Sequence, residues 1–191
     1  MDGTQENPLA ELAGRLVRLR AAVAELTNEI SEQAVLQGRF LTADQPYTNL
    51  LSLRELLALV PGDLIWVDTF AGVEALDVVA KAARADRHRS ITVLRKGNAD
   101  DQLRRAARHL RDELSVKAIR FDFVIVPVPA WTAHGRWLIN DSDAWTLPSA
   151  SAPRKADEIR RSAQPAAAIS QAKSLLEAGT SLLAHYAASR G

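Results

Sequence analysis

The sequence contains no cysteine among its 191 residues, which excludes a disulfide framework, thiolate chemistry and any Cys-ligated metal. No apolar run approaches membrane-spanning length. The first eight residues, Met-Asp-Gly-Thr-Gln-Glu-Asn-Pro, are too polar and acidic to read as a signal peptide. An excess of one charge is also missing. The formal net charge is +1, so nothing global marks a nucleic-acid or membrane binder, although local basic patches remain possible. Lysine is scarce: only Lys81, Lys96, Lys117, Lys155 and Lys173 accompany the arginines, a usage that fits a GC-rich bacterial genome. Walker loops, dinucleotide fingerprints, zinc-ligand spacing and Gly-x-Ser-x-Gly elbows do not occur. These absences fit a cytoplasmic protein that uses neither a metal nor a cofactor. Its length suits one domain with an added arm.

The arm comes first. Pro8 can open a helix where its missing N–H costs nothing. Leu9, Leu12, Leu16, Leu19, Val23, Leu26 and Ile30 then recur at alternating steps of three and four, an a/d seam that fades at Gln33 and Gln37. This seam suits a coiled coil, with a second copy or a partner protein docking along residues 9–30. The plainer alternative is an ordinary helix lying on the domain. In a parallel homodimer Arg15 would face Arg20, whereas an antiparallel pair, or a different partner helix, would let Arg15 approach a residue like Glu29. With a linker at 40–47, the arm is expected to span residues 1–47 and the domain residues 48–191.

Within the domain, residues 49–60 read as a helix, and Leu64-Ile-Trp-Val67 as a buried strand delivering Asp68 and Thr69 at its end. A helix over 72–85 leads to a strand over 90–94, which ends in Arg95-Lys96-Gly97. Asn98 reads as the cap of a helix whose arginines (Arg104, Arg105, Arg108 and Arg111) form a solvated face or touch a phosphate backbone. Residues 117–126 read as a strand closed by Pro127 and Pro129, and 136–139 with 144–147 as a hairpin around Asn140-Asp-Ser-Asp143. Residues 149–165 read as a loop and 166–188 as a final helix. Strand and helix in alternation, followed by a hairpin, imply an α/β protein with a mixed sheet flanked by helices.

The chemistry gathers on the first hairpin strand. Side chains alternate along a strand, so His134 and Arg136 point the same way. An imidazole that can be neutral near pH 7 then lies beside a guanidinium able to fork onto two phosphate oxygens. Asp141, at the turn, is placed to orient the imidazole.

This His134-x-Arg136-x-x-x-x-Asp141 pattern resembles the His-x-Lys-x-x-x-x-Asp signature of the phospholipase D superfamily, with arginine where those enzymes carry lysine. By its layout the resemblance covers roughly residues 62–188 and implies a phospholipase D-like α/β sandwich. The family usually continues into a Gly-Ser…Asn turn. The corresponding Leu147-Pro-Ser149-Ala-Ser-Ala152 keeps a serine and has neither the glycine nor the asparagine. The resemblance further implies His134 as nucleophile, Arg136 as phosphate clamp, Asp141 as orienting carboxylate and Ser149 as a hydrogen-bond donor. Arg154 and Lys155 fall in the segment that lies near the active-site mouth in that family.

Two functions follow. One is a metal-independent phosphodiesterase, most naturally a nuclease acting on nucleic acid or another phosphodiester. With a single motif copy, it would need a homodimer whose two histidines share one site. The other is a non-catalytic phospholipase D-like module for assembly or anionic-ligand recognition. Relatives carrying His-x-Arg here include the domain that follows MIT domains in some membrane-remodelling proteins.

Overall fold

In the computed structural model the described residues are 8–41, 45–133, 135–148 and 157–184. The chain divides near Val35 and Leu36 into two units. The first is most of α1 (Pro8–Gln37), a 30-residue helix. Its seam residues Leu12, Leu16, Leu19, Val23, Leu26 and Ile30 are between 51% and 68% exposed.

The second unit is built on a mixed sheet. Its strands are β1 (Gly38–Leu41), β2 (Gly62–Val67), β3 (His88–Lys96), β4 (Arg120–Val126), β5 (Trp137–Ile139), β6 (Ala144–Thr146), β7 (Asp157–Arg161) and β8 (Thr180–Ser181). They lie in the order β1-β7-β6-β5-β2-β3-β4-β8. Three neighbouring strands, β2, β3 and β4, are parallel, and every other pairing is antiparallel. Between them run α2 (Pro46–Leu59), α3 (Val73–Ala82), α4 (Asp101–Val116) and α5 (Pro165–Ala178).

The layering follows from side-chain parity. Leu64 and Trp66, Ile91 and Val93, Phe121 and Phe123 are in register across β2, β3 and β4, and all six are buried. Two successive crossovers through α3 and α4 in one direction place both helices on the same side of the sheet, because such crossovers are right-handed. The alternate residues Val67, Leu94, Val124 and Val126 face the other way and pack with Ala168, Ala172 and Leu175 of α5. Burial on both faces is why these strands read as nearly continuous apolar runs.

Several boundaries differ from the expectations above. The stretch 40–47, which reads as a linker, holds the end of β1 and the start of α2, and β1 pairs with β7 from Gly38↔Arg160 to Leu41↔Asp157. Trp145 Nε1 also donates to Leu36 O at 2.8 Å, tying this segment into the second unit. The loop at 149–165 contains β7, whose single apolar residue, Ile159, is 2% exposed. The cap of α4 is Asp100 rather than Asn98, with Oδ1 accepting from Leu103 N at 2.7 Å. The last helix stops at Ala178, and the chain turns into β8. Gly179 allows this turn, since a Cβ there would overlap Val124 Cγ1.

Candidate functional site at the carboxyl edge of the parallel strands

Open α/β sheets present ligand sites beyond the carboxyl ends of their parallel strands. In this sheet Val67 is paired with both Leu94 and Trp137. Asp68 and Arg95 therefore follow, and Arg136 precedes, the paired ends of three adjacent strands. All three have the parity of the α3 side.

Asp68 is wholly buried. Its backbone N–H continues the sheet by donating to Leu94 O at 3.1 Å. Its Oδ1 accepts from Phe70 N at 2.9 Å and from Arg136 Nε at 3.1 Å. Its Oδ2 is buried and has no hydrogen-bond partner among the described residues. The Arg136 side chain is 28% exposed, and among the described residues the pair to Asp68 is its one ion pair. Binding through Nε fixes the guanidinium plane and leaves the four terminal N–H donors for an anion, the fork that suits phosphate or carboxylate. A carboxylate buried this deeply costs several kcal/mol unless it is paired, so Asp68 and Arg136 hold each other in place.

Arg95 braces the loop that carries Asp68. Its Nη1 donates to Ala71 O at 2.6 Å, while its buried Nε has no partner among the described residues. Nearby, Trp131 Nε1 donates to Ala133 O at 2.9 Å, and Gln171 of α5 donates to Thr132 O at 2.7 Å. These bonds order the chain on its way to Arg136.

Asp141 lies elsewhere. β5 runs antiparallel to β2, with Ile139 opposite Ile65, and Asn140 Nδ2 reaches Pro61 O at 3.3 Å. The hairpin tip therefore sits at the amino edge of the parallel strands, one strand length from Arg136. There the Asp141 carboxylate meets Arg89 at 3.3 Å, and Arg89 in turn meets Asp63 at 2.9 Å. The expectation that Asp141 sits at the same end of the strand as Arg136 is corrected by this register. His134, Ser149, Arg154 and Lys155 fall outside the described residues. Of the expected site, Arg136 is the residue found at the carboxyl edge. The other charged residues found there, Asp68 and Arg95, were signalled by polar residues closing two apolar runs, Asp68 just past β2 and Arg95 within the last two residues of β3.

His88 is a second buried polar residue, 3% exposed, at the start of β3. Its Nδ1 accepts from Arg84 N at 2.9 Å, so the ring proton lies on Nε2. Nε2 faces Leu57 O at 3.0 Å and Val60 O at 3.1 Å, two carbonyls at the end of α2 that lack helical partners. Burial pushes the imidazole pKa below 6.5, outweighing the two carbonyl bonds that favour the charged ring. This histidine joins three elements and is structural.

Among the described residues, no group of three His, Asp or Glu side chains could hold a metal ion. No helix in the described residues is long and apolar enough to cross a membrane. Compared with protein families and with curated proteins, the chain matches none.

Proposed function

We propose that this chain is a phospholipase D-like module that recognises a phosphate-bearing ligand at the carboxyl edge of its parallel strands without cleaving it. One observation carries this reading. Arg136 is anchored through Nε on the buried carboxylate of Asp68, and among the described residues its terminal N–H groups have no other ion-pair partner. A guanidinium held this way binds phosphate with little further ordering, which is what preorganised recognition requires. The arrangement favours binding over hydrolysis because Asp141, the carboxylate that would orient a histidine nucleophile, is engaged with Arg89 at the opposite edge. Arginine in the lysine position and the missing glycine of the following turn point the same way.

The test is equilibrium binding of the full chain to two probes, a short single-stranded oligonucleotide and vesicles with anionic phospholipid headgroups. The two arms distinguish a nucleic-acid phosphodiester from a lipid one. Arg136→Ala should weaken binding to the preferred probe by about 1.5–3 kcal/mol, the loss of one charge-assisted pair. Equal affinity of wild type and variant for both probes would remove this site. Chelator-resistant cleavage of the oligonucleotide that is lost in His134→Ala would instead establish the phosphohistidine nuclease.

A further inference from the structure

We propose that α1 pairs with α1 of a second copy of this chain, side by side and antiparallel. The helix carries an a/d seam from Leu12 to Ile30, and all six of these apolar side chains are more than half exposed. A 30-residue helix with such a stripe draws most of its stability from covering it, because helix propensity alone is marginal in water. The stripe carries two apolar residues in every seven, about one per turn, which is the narrow seam that matches a facing helix.

Charge beside the seam selects both the occupant and its direction. With Leu12 to Ile30 forming the a/d layers, Arg15 and Glu29 occupy g positions and Arg20 an e position. In a parallel pair each Arg15 meets Arg20 of the other copy, giving two repulsive contacts and no attractive one. In an antiparallel pair g positions face g positions. Leu16 then lies opposite Leu26, Leu19 opposite Val23 and Leu12 opposite Ile30. The same register sets each Arg15 against Glu29 of the other copy. Two attractive contacts form, against one Arg20–Arg20 contact at the two-fold axis. The seam thus complements its own reverse, which is the property of an isologous interface.

The pairing has a consequence for the site proposed above. The two chains leave the helix pair at opposite ends, on the order of 40 Å apart along its axis. This interface does not by itself join two copies of the motif, as a shared two-histidine site would require.

The experiment uses the full chain and reads its mass against concentration by sedimentation equilibrium, with helicity followed by circular dichroism. Wild type should reach the mass of two chains. Arg15→Glu should raise the dissociation constant about tenfold, because two symmetry-related pairs turn from attraction to repulsion. Glu29→Arg should do the same, and the combined Arg15→Glu/Glu29→Arg chain should regain wild-type association. A parallel pair behaves oppositely: Arg15→Glu would meet Arg20 and tighten it, and Glu29→Arg would face Ala34 with no effect. Tightening by Arg15→Glu, failure of the charge swap to rescue, a single-chain mass at every concentration, or an assembly larger than two chains would each overturn the proposal.

Discussion

Asp68 and Arg136 differ in how openly the sequence displays them, yet neither is stable in place without the other. Arg136 belongs to a recognisable hairpin, while Asp68 is one polar residue after an apolar strand and 68 positions away. Their meeting depends on β5 lying against β2, a register that no local pattern encodes. The same dependence explains Asp141. Spacing along the chain placed it near the histidine, but three strand residues carry it to the other edge of the sheet. His88 was equally illegible, since a histidine in a charged stretch reads as surface until α2 is packed over it. A prediction follows from its chemistry. The folded state holds the ring neutral, with a pKa below 6.5, so it binds fewer protons than the unfolded chain. The resulting stability is fully present above pH 6.5 and is lost as pH falls below that value toward the folded pKa. Chemical denaturation across this window should show a slope of up to about 1.4 kcal/mol per pH unit. His88→Asn should be less stable and should lack that component; an unchanged slope in the variant would show that other groups titrate there.

At the scale of elements, legibility follows burial. The strands β2, β3 and β4 are covered on both faces and announce themselves as Val, Ile, Leu and Phe. α3 and α4 show one apolar side each, and the hairpin is marked by Asn140, whose side-chain oxygen accepts from Ser142 N and Asp143 N. β7 is hidden because four of its five residues, Asp157, Glu158, Arg160 and Arg161, are charged. It forms because it fills the gap between β1 and β6. The end of α5 is hidden for a different reason. Leu175, Leu176, Leu182 and Leu183 keep helical spacing across Gly179, so periodicity continues where the helix does not. The break comes from close packing of Gly179 on β4. A methyl group there would overlap Val124 Cγ1 and crowd Leu175 O at 3.2 Å. Gly179→Ala should therefore cost about 1–3 kcal/mol in denaturant unfolding, the usual penalty of overpacking. A variant as stable as wild type would mean that β8 is free to move off β4.

For the whole molecule, the pattern of alternating strands and helices was enough to foresee an α/β unit with a mixed sheet and a long preceding helix. It was not enough to find where that unit begins. Leu36 and β1 belong with it, because Leu36 O accepts the Trp145 indole proton and β1 completes the pairing of β7. Of the motif residues, Arg136 is the one that the described residues place at the carboxyl edge, where the order β3-β2-β5 brings it together with Arg95 and Asp68. That edge, and no other basic surface, is where a phosphate group is proposed to bind. Competing surfaces exist in the arginine face of α4 and in Arg89 beside Asp141. The most direct test is a nuclear magnetic resonance titration of the full chain with the preferred phosphate-bearing probe, following backbone amides. Recognition at the carboxyl edge predicts saturable shifts at residues 68–71, at Arg95 and at Arg136, abolished in Arg136→Ala. Shifts confined to α4 or to the Asp141 hairpin tip, or shifts that persist unchanged in Arg136→Ala, would contradict it.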